Sequence, residues 1–272
     1  MEKVHVETIW LSDLHLGNRD CKADYLLDFL KHHQARTLIL VGDIVDLWSL
    51  KSRHHWPKSH NQVVTTLLDM AHHGTRVIYI PGNHDEAVRE FVKFDFGKVE
   101  VRSHYTHSLV NGHKALAIHG DEFDTLVCHS RLTSLAGDAG YDFLLFLNRW
   151  NDKLRRLAGR PYWSLSGYIK EKVHKAKEAM QRFKNASLAK ARKRQVDAIV
   201  CGHIHHPEIL ETEDVVYMND GDWIENCSSL IEYSDGTIQL IRWTEGLTVL
   251  DETSRFAGEN RLYNETFCKE AV

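Results

Sequence analysis

Short apolar runs recur along the first 120 residues, and the clearest of them end at a glycine or at a Pro-Gly pair. Residues 37–41 (TLILV) and 76–80 (RVIYI) are of this kind, and their aliphatic and β-branched content is typical of buried strands. Residues 25–33 and 62–73 instead space their apolar side chains as a helix does. Residues 1–7 alternate polar and apolar side chains, which predicts a first strand. The chain therefore begins as alternating strands and helices.

Two hairpin signals follow. Asn111-Gly112 and Asp235-Gly236 are dipeptides that favour the tight turns of antiparallel hairpins. The first precedes a strand pattern at 115–118, and the second separates strand patterns at 230–233 and 237–240. Together with the alternation upstream, they predict an α/β protein of the α+β type, in which a mixed β-sandwich is flanked by helices.

The segment 122–195 has a different pattern. It shows no strand signal, two helical patterns rich in Leu, Phe and Trp, and then a long basic helical pattern at 164–194. We interpret 122–195 as a helical cap inserted between two elements of the sheet. The predicted core is then 1–121 together with 196–250, and 251–272 forms a C-terminal extension.

The net charge of −4 hides a strong asymmetry along the chain. Residues 149–194 carry 15 Lys and Arg against three acidic residues, a net charge of +12, so the remainder carries −16. This separation predicts an acidic body that holds cations and a basic segment that meets anions.

The lengths of the apolar runs indicate where in the cell the protein is expected. The longest uninterrupted run of aliphatic or aromatic residues is five residues long, at 143–147, which is too short to span a membrane. The N-terminal residues do not resemble the apolar core of a signal peptide, so we expect a cytoplasmic protein. The five cysteines show no CxxC spacing, which argues against a disulfide framework or a thiolate zinc site.

Five short polar clusters follow predicted strands. Because strand carboxyl ends converge on one edge of an α/β sheet, clusters far apart in sequence can meet there. They offer carboxylates, imidazoles and one amide oxygen but no thiolate, which suits Mn, Fe, Zn or Co. One such cluster arises easily by chance among 19 histidines, whereas five in this order are hard to explain by packing. The clusters are Asp13-Leu14-His15, Gly42-Asp43-Ile44-Val45-Asp46, Gly82-Asn83-His84-Asp85, His119-Gly120-Asp121 and Gly202-His203-Ile204-His205.

The order of these clusters resembles that of the calcineurin-like metallophosphoesterases, over residues 13–205. The resemblance implies two divalent metal ions, with Mn²⁺ the first candidate and Fe²⁺, Zn²⁺ or Co²⁺ the others. Two ions about 3.5–4 Å apart can activate a nucleophile and neutralise charge on a phosphoryl group. Asp43 would bridge the ions. The implied ligands are Asp13, His15, Asp43 and His205 for one ion, and Asp43, Asn83, His119 and His203 for the other.

The same resemblance implies roles for the residues around the ions. His84 would act as a general acid or as a hydrogen-bond donor in the transition state, with Asp85 orienting its ring. Asp46, Asp121 and Asp222 would orient metal ligands. For Asp46, capping the N-terminus of the following helix is an equally good interpretation.

Two further motifs narrow the resemblance. Residues 42–48 (GDIVDLW) and 221–223 (GDW), with a helical insertion between the HGD and GHxH clusters, resemble the bacterial UDP-2,3-diacylglucosamine diphosphatases of lipid A synthesis. That family hydrolyses the pyrophosphate of its substrate to UMP and an acylated sugar 1-phosphate, and its cap holds the acyl chains. It carries arginine where this chain has His84. This difference does not change the metal ligands. It leaves the identity of the substrate open, which could be a different nucleotide-linked lipid or another phosphoester.

The cap carries residues suited to an amphiphilic, anionic substrate. Its apolar side chains could take acyl chains, and its Lys and Arg could meet phosphate or anionic headgroups, which predicts peripheral association with the cytoplasmic face of the inner membrane. An amphipathic hairpin that only packs on the body explains the same pattern equally well. The candidate substrate-binding residues are Arg53, His54, Phe143, Phe146, Trp150, Tyr162 and Trp163.

Three other functions compete with hydrolysis of a nucleotide-linked lipid. A soluble nucleotide, or another phosphodiester or phosphomonoester, would use the same metals without the lipid. A nucleic-acid partner is disfavoured, because aromatic side chains that could stack on bases are nearly absent from the basic run 170–194. A non-catalytic scaffold would not need the complete ligand set. The oligomeric state stays open.

Overall fold

Two mixed β-sheets form the centre of the protein. The computed structural model describes residues 3–52, 54–124, 147–151, 155, 157, 159, 163–164 and 174–258. In this part of the chain the strands are β1 (Val4–Leu11), β2 (His33–Val41), β3 (Arg76–Ile80), β4 (Asp95–Phe96), β5 (Val99–Val101), β6 (Tyr105–Ser108), β7 (Lys114–Ala117), β8 (Ala198–Cys201), β9 (Glu208–Glu211), β10 (Val216–Asn219), β11 (Ser228–Glu232), β12 (Ile238–Trp243) and β13 (Leu247–Thr253).

Helices connect several of these strands. Short 3₁₀ helices occupy Glu86–Phe91 and Asp121–Phe123. The α-helices are α1 (Ala23–His32), α2 (Leu47–Ser52), α3 (Lys58–His72) and α4 (His174–Arg194). None of the helices among the described residues combines the length and the apolar character that a membrane crossing requires.

The parallel strands lie at the centre of each sheet. The larger sheet has the order β13-β12-β11-β1-β2-β3-β5-β4, and the smaller sheet has the order β6-β7-β8-β10-β9. Strands β1, β2, β3 and β5 pair in parallel, as do β7, β8 and β10. The strands that precede the polar clusters are therefore parallel neighbours, and their carboxyl ends lie on the same edge of their sheet.

Alternate residues of β2 face two different cores. Ile39 and Val41 lie in the core between the two sheets, whereas Leu38 and Leu40 pack with residues of α1 and α3. A third core joins α4 to the outer face of the smaller sheet, where Phe183 is only 1% exposed. Helices thus cover the outer face of each sheet, which confirms the predicted mixed β-sandwich flanked by helices.

Both predicted hairpins are present. Asn111-Gly112 lies between β6 and β7, and Asp235-Gly236 lies between β11 and β12. The first helix differs slightly from its prediction, because His33 begins β2 instead of ending the helix. The His33 ring is buried, 4.4 Å from the Phe29 ring, and its Nδ1 bonds to the Phe29 carbonyl at 2.9 Å. This aromatic contact holds His33 in the core.

The division into core and cap stays a prediction. Residues 125–146 and most of 152–173 lie outside the described residues. Within 122–195 the structure describes α4, which packs on β8 and β10. The last strand, β13, runs to Thr253, three residues beyond the boundary predicted for the core.

Removing the ring of Phe183 should detach α4 from the smaller sheet. Phe183→Ala is expected to lower the free energy of unfolding by about 3–5 kcal/mol, because it leaves a cavity in a closed core. Phe94→Ala removes the same atoms from a side chain that is 60% exposed, and should change stability little. Denaturant unfolding followed by circular dichroism measures both variants, and equal stabilities would contradict this packing.

Candidate metal centre

The seven candidate ligands all follow strands of the two sheets. Backbone hydrogen bonds tie their loops together: the amide of Asp13 donates to the Gly42 carbonyl at 3.0 Å, and the amide of Gly202 donates to the His119 carbonyl at 3.1 Å. The structure therefore brings together residues up to 192 positions apart. The ligands are Asp13 and His15 after β1, Asp43 after β2, Asn83 after β3, His119 after β7, and His203 and His205 after β8.

Left-handed backbone conformations aim most of these side chains. Eight non-glycine residues of the described chain have positive φ, and five of them are candidate ligands, with φ between 48° and 70°. This conformation costs about 1–3 kcal/mol for a residue with a side chain and is concentrated at functional sites. The five are Asp13, His15, Asp43, His203 and His205.

Two glycines leave room for the ligands. A Cβ atom at Gly42 would overlap the ring of His119, and one at Gly82 would overlap the carboxylate of Asp43. Glycine is needed at both positions because the backbone passes directly beside a ligand side chain.

The first ligand group combines Asp13, His15 and His205. Their ligand atoms lie within 4.8 Å of one another, and His205 Nε2 is 3.1 Å from Asp13 Oδ1. Asp13 Oδ1 and both ring nitrogens of His15 are buried and face oppositely charged groups, but they make no well-aligned hydrogen bond among the described residues. Such atoms are costly to bury unless something else satisfies them, so this group fits a bound cation.

The second ligand group combines Asp43, His119 and His203, also within 4.8 Å. His119 Nδ1 donates to the Val41 carbonyl at 2.8 Å, which turns Nε2 towards the site. That nitrogen lies 3.4 Å from Asp43 Oδ2 and 3.2 Å from the amide oxygen of Asn83. Asn83 thus lies beside this group, and its role as a ligand stays a prediction.

Asp43 stands between the two groups. Its Oδ2 lies 3.8 Å from His15 Nε2 and 3.4 Å from His119 Nε2. Its Oδ1 accepts a hydrogen bond of 2.8 Å from the backbone amide of His84. The oxygen that faces both groups is therefore Oδ2, and the other oxygen fixes the orientation of the carboxylate.

Asp46 orients His84 and also caps a helix. Its Oδ1 lies 3.0 Å from His84 Nδ1 and accepts the amide of Ser49 at 2.7 Å, at the start of α2. Its Oδ2 lies 3.4 Å from His15 Nδ1. Asp46 thus contacts both the candidate ligand His15 and the first turn of α2, and its role in orienting a metal ligand stays a prediction. The Trp48 ring packs against His84 at 4.2 Å, and the His84 side chain is 24% exposed.

The prediction that Asp85 orients the His84 ring is wrong. The Asp85 carboxylate is buried and accepts hydrogen bonds from the Ile44 amide at 2.8 Å, the Gly82 amide at 2.6 Å and the Tyr79 hydroxyl at 2.6 Å. Burial and the nearby charge of Asp43 raise the pKa of Asp85. Asp85 therefore joins the loops after β2 and β3 and sets the path of the backbone.

Asp121 also differs from its prediction. Its carboxylate pairs with Arg89 at 2.6 Å, whereas Asp124, three residues on, contacts a candidate ligand, 2.6 Å from His203 Nε2. Sequence reasoning missed Asp124, which lies outside the recognised clusters. Asp222 lies 3.8 Å from His205 Nδ1, on the ring nitrogen opposite the one that faces Asp13.

The candidate substrate-binding residues that the structure describes lie at the surface. His54, Trp150 and Trp163 are exposed, and the Arg155 guanidinium lies 5.7 Å from the Trp163 ring. Their role in binding substrate stays a prediction. The other candidates, Arg53, Phe143, Phe146 and Tyr162, lie outside the described residues.

Carboxylates and imidazoles stabilise each other's charges in this site. Burial alone would lower the pKa of His119, but the Asp43 carboxylate raises it to about 10. The pKa of His15 likewise lies well above its ordinary value: burial opposes the rise, and Asp13 and Asp46 outweigh it. Burial would raise the pKa values of Asp13 and Asp43, yet the surrounding imidazoles hold both below the ordinary range. A cation would replace the protons of these imidazoles.

A model of the calcineurin-like phosphoesterase family matches residues 8–207, which include every candidate ligand. The chain belongs to this family. Calcineurin-like phosphoesterases depend on two metal ions, and the carboxylate and imidazole groups described above fit that requirement. This member of the family is therefore a metal-dependent hydrolase.

Solved structures resemble this calcineurin-like chain at low sequence identity, and no curated protein matched it. The phosphoesterase Yfce from E. coli is 15% identical, with a TM-score of 0.46 over 90% of this chain and 97% of that chain. Wild-type Vps29 from Entamoeba histolytica, complexed with Zn²⁺, is 14% identical, with a TM-score of 0.46 over 90% and 97%. An archaeal phosphodiesterase is 13% identical, with a TM-score of 0.40 over 89% and 99%.

Asp43→Ala should lower the metal content from two ions per chain to one or none, because Asp43 Oδ2 faces both ligand groups. Asp251→Ala removes an exposed carboxylate from β13 and should leave two ions bound. Metal analysis after gel filtration, with thermal melting to check folding, measures both variants. If folded Asp43→Ala retained two ions, this would contradict the prediction that both ions share Asp43.

Metal binding should release protons. His15 and His119 have raised pKa values without metal, so both are protonated at neutral pH, and an imidazole must be neutral to bind a metal. We expect about two protons released at pH 7, and an affinity that strengthens as pH rises towards the His119 pKa of about 10. Calorimetry in buffers of different ionisation enthalpy measures the release. A binding enthalpy that does not depend on the buffer would contradict it.

Proposed function

We propose that this protein hydrolyses a phosphoester or pyrophosphate bond at two divalent metal ions. The observation that carries the proposal is Asp43 Oδ2, which faces a ligand group on each side. One ion would bind Asp13, His15 and His205, the other would bind Asn83, His119 and His203, and Asp43 would serve both. When bound, such ions activate water and neutralise charge on the phosphoryl oxygens.

His84 is suited to transfer a proton to the leaving group. Its backbone amide is bonded to Asp43 and its Nδ1 to Asp46, and among the described residues Nε2 has no hydrogen-bond partner, so this nitrogen can meet a substrate. The ring is partly exposed and packs on Trp48, which limits its rotation. A fixed imidazole beside a reacting oxygen can act as a general acid or as a hydrogen-bond donor.

The substrate that we propose is a nucleotide-linked lipid such as UDP-2,3-diacylglucosamine, cleaved to UMP and the acylated sugar 1-phosphate. Support comes from the GDIVDLW and GDW motifs and from the position of the basic helical segment between β7 and β8. An anionic, amphiphilic substrate would match the net charge of +12 on residues 149–194. His84, where the diphosphatases have arginine, points to a related rather than an identical substrate.

Manganese is our proposal for the native metal, with iron, zinc or cobalt as alternatives. Carboxylate, imidazole and amide ligands accept all four ions, so the ligand set alone does not choose among them.

We also propose that the basic face of α4 meets an anionic membrane surface, because Lys and Arg near such a surface each contribute about 1 kcal/mol. Binding of this kind would place the protein at the cytoplasmic face of the inner membrane.

A soluble nucleotide or another phosphoester is the second candidate substrate. It would use the same ligands and His84 without needing acyl contacts. The motif similarity and the basic segment favour the lipid-linked substrate, and turnover on a panel of both types distinguishes the two.

His84→Gln should lower turnover by about 10²–10⁴ while both metals stay bound, because general acid–base catalysis contributes about that factor. His72→Gln changes an exposed histidine at the far end of α3 and should have little effect. Steady-state rates on bis(p-nitrophenyl) phosphate, with parallel metal analysis, measure both variants. Metal loss in His84→Gln would show that His84 is a ligand, as part of the group that it forms with His15 and Asp46.

Polar substitutions at Phe143 and Phe146 should raise the KM for a diacylated nucleotide sugar if these side chains hold acyl chains. Each buried CH₂ contributes about 0.8 kcal/mol, so losing a few contacts should raise KM tenfold or more. Hydrolysis of bis(p-nitrophenyl) phosphate is the control and should barely change. Equal losses on both substrates would mean that the side chains only stabilise the fold, and no loss on either would favour the soluble substrate.

A further inference from the structure

A cavity of about 540 Å³ adjoins the metal centre at His119. Its lining includes Gly120 from the loop after β7, Arg89 from the 3₁₀ helix, and Lys190 and Arg194 from the last turns of α4. Cavities of this volume hold small organic groups rather than single ions. Since His119 also faces Asp43, a molecule in the cavity would lie beside the candidate ligands.

The positive and negative charges of the side chains that line the cavity do not balance. Arg89 pairs with Asp121 at 2.6 Å, and Lys190 pairs with Glu122. Arg194 has no hydrogen-bond or ion-pair partner within the part of the chain that the structure describes, and its side chain is exposed. Three permanent cations thus meet two carboxylates, and one guanidinium remains to bind a ligand.

The position of Arg194 is fixed by the packing of α4. Phe183, Leu188 and Ala191 of this helix are buried against the smaller sheet. His104 lies on the other side of the cavity lining. Burial is the main cause that lowers the pKa of its imidazole, and the charges of Arg194 and Lys190 lower it further. The helix end therefore presents a cation to the cavity, and His104 adds a neutral hydrogen-bonding group.

We propose that this cavity is a subsite for a second phosphate-class group of the substrate, bound by Arg194 while the scissile phosphate lies at the metal ligands. The inference rests on the proposed function and specifies its substrate: a phosphoester that carries another anionic group near the bond that is cleaved.

The chemistry of the lining favours phosphate over an acyl chain. A guanidinium offers two parallel N–H donors that match the oxygens of a phosphate. The apolar side chains of the lining are Pro81, Val92 and Ile118, too few to enclose a lipid tail. An acyl chain there would also cover the unpaired Arg194 charge, which is costly.

Calorimetry on the full manganese-loaded chain tests the subsite, with methylenediphosphonate and methylphosphonate as probes. Arg194→Gln should weaken binding of the diphosphonate about tenfold, the loss expected for a charge-assisted hydrogen bond, and leave the monophosphonate unchanged. Lys193→Gln removes the same charge one residue away, outside the cavity lining, and should change neither affinity. Arg194→Lys should recover part of the loss.

An unchanged diphosphonate affinity in Arg194→Gln, or an equal loss for both probes, would overturn the subsite. Turnover of bis(p-nitrophenyl) phosphate and of a nucleoside diphosphate sugar by the unaltered chain tests the proposed function separately. Diphosphonate binding that depends on Arg194 without turnover of either ester would support the subsite and contradict the hydrolase proposal. Turnover of an ester, together with diphosphonate binding that does not depend on Arg194, would support the hydrolase proposal and contradict the subsite.

Discussion

Buried carboxylates and imidazoles crowd together where the two sheets end, and much of the structure serves to hold them there. Asp13, Asp43 and His119 are almost completely buried, an arrangement that is costly unless opposite charges or a metal compensate. The compensation is mutual: each carboxylate faces at least one imidazole within 4 Å. Atoms of Asp13 and His15 that make no well-aligned hydrogen bond among the described residues mark where a cation would complete it.

The fold supplies the rigidity that this crowding demands. Parallel strands aim the loops at one edge, and two packed sheets bring ligands from five strands into a single site. The left-handed backbone at Asp13 and Asp43 is kept because the loops are hydrogen-bonded to one another and to the Asp85 carboxylate. His84 is held at two points: its backbone amide is bonded to Asp43, and its ring is bonded to Asp46.

The sequence was sufficient for the fold class, the hairpins and the set of polar residues that meet at the sheet edge, because strand patterns and glycines locate the loops. It was not sufficient for side-chain direction within a loop. Asp85 and Asp46 are both near His84, yet only Asp46 reaches its ring, because the backbone turn points Asp85 at the amides of Ile44 and Gly82. The contact of Asp124 with His203 joins residues 79 positions apart and leaves no local pattern.

We propose that two metal ions share Asp43, and anomalous diffraction from crystals of the manganese-loaded protein would locate both ions. We expect two anomalous peaks about 3.5–4 Å apart, one beside Asp13 and His205 and the other beside Asn83 and His119, with Asp43 touching both. A single peak would contradict it. So would a peak bound by His15, Asp46 and His84, whose ligand atoms also lie within 4.8 Å of one another.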